Sequence, residues 1–221
     1  MMDIKTEKLY KKFALSVDRL NLDDYFLCVY GSYASNNANP ESDLDIFVAT
    51  KSFSIKDFGK LRDSVIALHV QNNLKLDQEV PYENKLLIPY EDVYDALVLS
   101  PFVKEGSKYV VPPVKKDPDF LASRNVRLRL VLNALTTPHK YICGNKAKYT
   151  EFKEMAEKAI VQLATGLIGS ENADVDEILT ALLFGPDGEE GEMYLGYKKE
   201  RPWIVEYLRE IVTRVRFQAS G

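Results

Sequence analysis

Tyr25-Phe26-Leu27-Cys28-Val29-Tyr30, then Gly31-Ser32-Tyr33-Ala34 and, eight residues on, Asp43-Leu44-Asp45-Ile46-Phe47-Val48, form the stretch that decides how this chain folds. The first six residues are a short aromatic and aliphatic run that stops at a glycine. Asp43 to Thr50 is a second such run, and both read as strands. Alternate residues of a strand share a face, so Asp43 and Asp45 project side by side while Leu44 and Ile46 turn to the core. Taken alone, each signal has an ordinary explanation, since Gly-Ser after a strand is common and Asp-x-Asp at a strand end is often a solvated face. Their order and spacing carry the argument.

Working outward, Lys5 to Leu20 places Leu9, Phe13, Ala14, Val17 and Leu20 at helical intervals, which predicts an amphipathic helix before the first strand. Helical spacing returns in Phe58, Leu61, Val65, Ile66 and Leu68, between Ser54 and Asn72. Leu74 to Val80 then reads as a third strand and Tyr90 to Val98 as a short helix. Lys104 to Pro118, with three prolines, a glycine and several lysines, is the most linker-like segment. We therefore expect two domains, residues 1–112 and 113–221. In the second, the periodicity is helical throughout, with helices expected over Phe120 to Leu135, Tyr149 to Leu167, Val175 to Phe184 and Trp203 to Phe217. The breaker-rich Gly185 to Gly191 is expected to be an exposed turn. The expected class is α+β, a small mixed sheet with flanking helices followed by an all-α part.

Composition excludes several functions. At 46% hydrophobic and 28% charged residues the chain is an ordinary globular protein. Its N-terminus lacks a signal-peptide core and no window is apolar enough to span a bilayer, so no membrane role and a cytoplasmic location are expected. Cys28 and Cys143 suit buried free thiols better than a disulfide. A net charge of -4 and a pI near 5.4 argue against a broad nucleic-acid surface and favour a small or cationic substrate.

Two carboxylates in one small volume repel and raise each other's pKa unless a cation relieves them. Magnesium suits oxygen donors and leaves positions open for phosphate, whereas zinc calls for clustered His or Cys, and this chain has only His69 and His139. Gly31 stands where a tight turn can present backbone amides to a phosphate, and Ser32 adds a hydroxyl.

Gly31-Ser32, ten residues, then Asp43-x-Asp45 followed by Ile46-Phe47-Val48 resembles the signature of the DNA polymerase β-like nucleotidyltransferase superfamily. In layout the chain is similar to small-molecule members, such as the aminoglycoside nucleotidyltransferases, whose catalytic domain precedes a helical one. The resemblance covers roughly residues 25 to 80 and implies that Gly31 and Ser32 contact nucleotide phosphates. It also implies that Asp43 and Asp45 bind magnesium, and that a third carboxylate arrives from a later strand. In Leu74 to Val80 both Asp77 and Glu79 have the right parity. Glu79 is preferred because an apolar residue, Val80, follows it.

The implied reaction is attack of an acceptor hydroxyl on the α-phosphorus of an NTP such as ATP, with pyrophosphate leaving and two magnesium ions assisting. Glu79 could serve as ligand or as general base. The acceptor expected is a small molecule, with aminoglycoside-like antibiotics fitting the overall acidity. A protein or RNA partner and a non-catalytic nucleotide-binding module are the alternatives, and the oligomeric state is left open. Arg124, Arg127, Arg129, Lys140, Lys146 and Lys148 are candidate triphosphate clamps, though solvated helix faces explain any one of them as well. The acidic loop around Asp187, Glu189, Glu190 and Glu192 could attract a polycation or simply solubilise a turn. Tyr33, Tyr82 and Tyr90 flank the site, where packing is the simpler role. His139 is expected in a turn, His69 has no assigned function, and Trp203 is expected in the core.

Overall fold

A computed structural model describes residues 4–40, 42–75, 87–99, 103–105, 108–110, 134–135, 137–168, 170, 172–184 and 202–219. Helix α1 (Ile4–Asp18) leads into β1 (Asp23–Tyr30), and the short α2 (Gly31–Ala34) follows at once. After β2 (Asp45–Ser52) comes α3 (Ile55–Gln71), then β3 (Leu87–Pro89) and α4 (Tyr90–Leu99). A hairpin of β4 (Val103–Glu105) and β5 (Lys108–Val110) precedes β6 (His139–Gly144). Helices α5 (Lys146–Ile168), α6 (Val175–Phe184) and α7 (Pro202–Ala219) complete the chain.

The main sheet runs β3-β2-β1-β6, with β1 antiparallel to both neighbours and β2 parallel to β3. β1 is central and buried on both faces, which is why its sequence is a continuous apolar run rather than an alternating one. Leu27 and Val29, with Ile46 and Val48 of β2, pack against Leu9, Phe13 and Val17 of α1 and Leu61, Val65 and Leu68 of α3. The opposite face, Phe26, Cys28 and Tyr30 with Phe47 and Ala49, joins Val93 of α4, Phe152 of α5, Ile178 of α6 and Leu208 of α7 in one core. Ser54 begins α3 with a reciprocal capping box to Asp57, and Asn73, at φ +52, follows its end. Among the described residues no helix is long and apolar enough to cross a membrane. Cys28 and Cys143 are both free, the first buried and the second half-buried.

Three expectations change. His139–Gly144, expected within a purely helical segment, is a strand that pairs with β1 and so joins the sheet from beyond residue 112. β1 would otherwise expose a row of unpaired backbone groups on that side, and covering them outweighs the weak local signal of a six-residue strand with four half-buried and two exposed residues. The segment read as linker overlaps the hairpin of β4 and β5, which begins at Val103. Leu87–Pro89, not expected as a strand, is β2's continuous parallel partner, while of the third strand expected at Leu74 to Val80 the described residues include Lys75, bridged in parallel to Asp43. Residues 76–86 lie outside the described part, as does the Phe120 to Leu135 helix apart from the helical, buried Ala134 and Leu135.

β6 ends on Gly144, at φ +94, where a Cβ would lie 2.2 Å from the Tyr25 carbonyl oxygen. Gly144→Ala therefore forces β6 away from β1 and is expected to destabilise the protein by about 2 kcal/mol, seen as a lower urea midpoint. An unchanged midpoint would mean that the backbones are not in close contact there.

Candidate active site

The end of β1 and the beginning of β2 lie side by side, with Tyr30 opposite Asp45. Asp45 thus starts β2 next to the point where Gly31 turns the chain into α2. Asp43, two residues earlier, is held by its bridge to Lys75. Leu44 between them is buried among the α1 and α3 side chains, while both aspartates are only half-buried. By strand alternation the carboxylates share the face of Phe47 and Ala49, the face covered by the C-terminal helices.

Gly31 has φ +74, a left-handed conformation that glycine adopts without strain. A Cβ there would stand 2.9 Å from Asp45 Oδ2, so the bare glycine is what lets the carboxylate lie against the turn. The Gly31 N–H is taken, donating to the Pro138 carbonyl at 2.9 Å. Donors for a ligand must then come from the residues after it. The Ser32 hydroxyl makes no hydrogen bond among the described residues, and the N–H groups in the first turn of α2 have no partner within that helix. The Ser32 carbonyl accepts from Asn37 N–H at 2.8 Å and from Ser35 Oγ at 3.0 Å, which fastens the loop leading back to Asp43. Tyr33 is near enough to feel Asp43: burial, and then that negative charge, raise its phenol pKa. The Tyr33 carbonyl accepts from Tyr10 of α1 at 3.2 Å.

The described donor set is two carboxylates and a hydroxyl, with no His or Cys placed to compete. Hard oxygen donors beside a glycine cradle fit magnesium, which is often held by only one or two protein carboxylates and completes its shell with water and phosphate. Among the described residues no three acidic, His or Cys side chains gather at one point. The expected third carboxylate, Asp77 or Glu79, lies outside them, as do Tyr82, Arg124, Arg127, Arg129 and the acidic loop at 187–192.

Other expected contributors are elsewhere. Lys148 is committed to Glu151 at 2.7 Å and to the Tyr94 hydroxyl at 2.9 Å, contacts that raise its pKa. It belongs with Asn145, which binds Tyr25 and Asp24 near the start of β1, about 17 Å along the strand from Tyr30 at ~3.3 Å per residue. Lys146 precedes it at that end. Lys140 lies over the Tyr10 ring, on the sheet face away from the carboxylates. Tyr90 is a core residue stacked on Phe26, and Trp203 packs at the core margin. His69 is buried against Phe13 with its Nδ1 on the Val65 carbonyl. Two neighbours of the site were missed in the sequence: Lys75, exposed beside Asp43, and the Pro138-His139 pair behind Gly31. A proline before an aromatic and β-branched run ending in glycine was the available signal for β6.

Residues 10–117 match the family model described as a nucleotidyltransferase domain. No curated protein and no solved structure matches the chain.

Proposed function

We propose, on the premise that this chain is a transferase of nucleotidyl groups with its nucleotidyltransferase domain at residues 10–117, that it moves a nucleoside monophosphate from an NTP to the hydroxyl of a small molecule. The observation that supports it is the contact of Asp45 with the bare Gly31 turn, with Asp43 two residues away on the same face. Asp43 and Asp45, with Glu79 or Asp77, would hold magnesium. When bound, the metal would lower the pKa of the acceptor hydroxyl and neutralise charge on the leaving pyrophosphate. Ser32 and the amides of α2 would bind the phosphate tail. The protein's own part is to align the acceptor oxygen with the α-phosphorus and to exclude other geometries. The acidity of the chain suits a cationic acceptor of aminoglycoside type, with ATP as the first donor to test and the cytoplasm as the setting.

Incubation with ATP or GTP and magnesium, across a panel of hydroxyl acceptors, is expected to release pyrophosphate with at least one small molecule. Saturable nucleotide binding without pyrophosphate from any acceptor would mark a binding module instead. Glu79→Gln is expected to be the more damaging of the pair Glu79→Gln and Asp77→Asn, by about a hundredfold in turnover. Equal and mild effects would place the third carboxylate elsewhere.

A further inference from the structure

His139 opens β6 directly opposite Tyr30, whose other neighbour in the sheet is Asp45. Its ring stands edge-on to Tyr149 of α5, with centroids 5.6 Å apart, and to Tyr207 of α7 at 6.2 Å. Nδ1 lies 2.7 Å from the Thr137 carbonyl oxygen, which can only accept, so Nδ1 carries the proton. The Tyr207 hydroxyl is 3.2 Å from the same nitrogen. Nε2 is buried and makes no hydrogen bond among the described residues. Burial, opposed by the bond to Thr137 and aided by Lys153, lowers the ring's pKa from 6.5 to about 4, so it is neutral at physiological pH. The single Nδ1–H is then shared between two acceptors, the Thr137 carbonyl at 2.7 Å and the Tyr207 hydroxyl at 3.2 Å. A second N–H on this ring would be buried without a partner, which is costly.

Pro138, between these two residues, gives the arrangement its consequence. Its carbonyl accepts the Gly31 N–H. The turn Thr137-Pro138-His139 is thus closed on one side by the imidazole and holds the glycine turn on the other, while Gly31 in its turn lies against Asp45. We infer that His139 is a positioning residue. By donating from Nδ1 to Thr137 it fixes the Pro138 carbonyl that anchors Gly31, and it passes the seating of α5 and α7 to the turn beside Asp45. It touches no reacting atom. The link to turnover rests on the proposed function, whereas the anchoring of Gly31 does not.

A ring that merely filled space would be replaced equally well by either amide side chain. Asn puts its donor where Nδ1 stands, and Gln reaches toward the Nε2 position. Hydrogen exchange at the Gly31 amide in the full chain is the readout, with pyrophosphate release measured alongside. His139→Asn is expected to keep Gly31 protection within about threefold of wild type, and His139→Gln to speed exchange roughly tenfold, the size of one lost hydrogen bond. Turnover should follow the same order, through kcat more than through KM for the NTP. Equal protection in the two variants, or loss of protection in His139→Asn, overturns the inference. Tyr207→Phe keeps the test decisive if His139→Gln fails to fold: it removes the competing acceptor and leaves Nδ1–H wholly to the Thr137 carbonyl, so Gly31 protection should stay at or above wild type, and a faster exchange counts against the anchor. Wild type that protects Gly31 but releases no pyrophosphate would sink the proposed function and leave the anchor standing.

Discussion

Asp43→Asn and Asp45→Asn should each lower turnover about a thousandfold while the protein stays folded. Asparagine keeps the shape and volume of the side chain and removes its charge. On the proposed metal-holding role it would lose several kcal/mol of charge stabilisation, and each 1.4 kcal/mol is about tenfold in rate. Neither aspartate is buried, and Leu44, which fixes the strand between them, is unchanged, so little folding energy is at stake. Removing one of two neighbouring negative charges relieves repulsion in the metal-free protein, and the variants should melt at or slightly above the wild-type temperature. Pyrophosphate release and circular dichroism on the same samples would check both halves. Turnover within tenfold of wild type in either variant would remove that residue from the site.

Gly31→Ala is the second change with a large expected effect. At φ +74 an alanine carries about 1–2 kcal/mol of strain, and its Cβ would stand 2.9 Å from Asp45 Oδ2. The carboxylate or the turn must shift. A misplacement of about 1 Å in a reacting centre commonly costs about a hundredfold in rate, which is the loss expected here. Gly59→Ala in α3 is the matched control, since nothing lies within 4 Å of a Cβ there and the residue is helical. It should leave turnover untouched and stabilise the protein by up to about 1 kcal/mol. Equal activity in the two variants would show that the contact between Gly31 and Asp45 has no bearing on the reaction.

How far the sequence could be read depended on how local the deciding forces were. α1, α3, α4, α5, α6 and α7 were all legible as periodic apolar stripes, because a helix buries one face whatever it packs against. β1 and β2 were legible because both are rich in apolar residues, and the glycine after the first strand marked the turn, whereas its close approach to Asp45 came only with the fold. β6 was not, since its identity as a strand depends on a partner more than a hundred residues away. The same distance hid Pro138 and His139 behind the glycine turn.

The chain's own order of residues determined the helix–strand–turn–strand frame and the common face of Asp43 and Asp45, because those follow from backbone periodicity and one glycine. Tertiary structure alone decided that the Gly31 amide is satisfied by Pro138, that Lys148 is spent on Tyr94 and Glu151, and that α5 and α7 close over the carboxylate face. Hydrogen bonds and buried contacts between segments distant in sequence are chosen by the whole folded chain, because a buried polar group left without a partner costs stability.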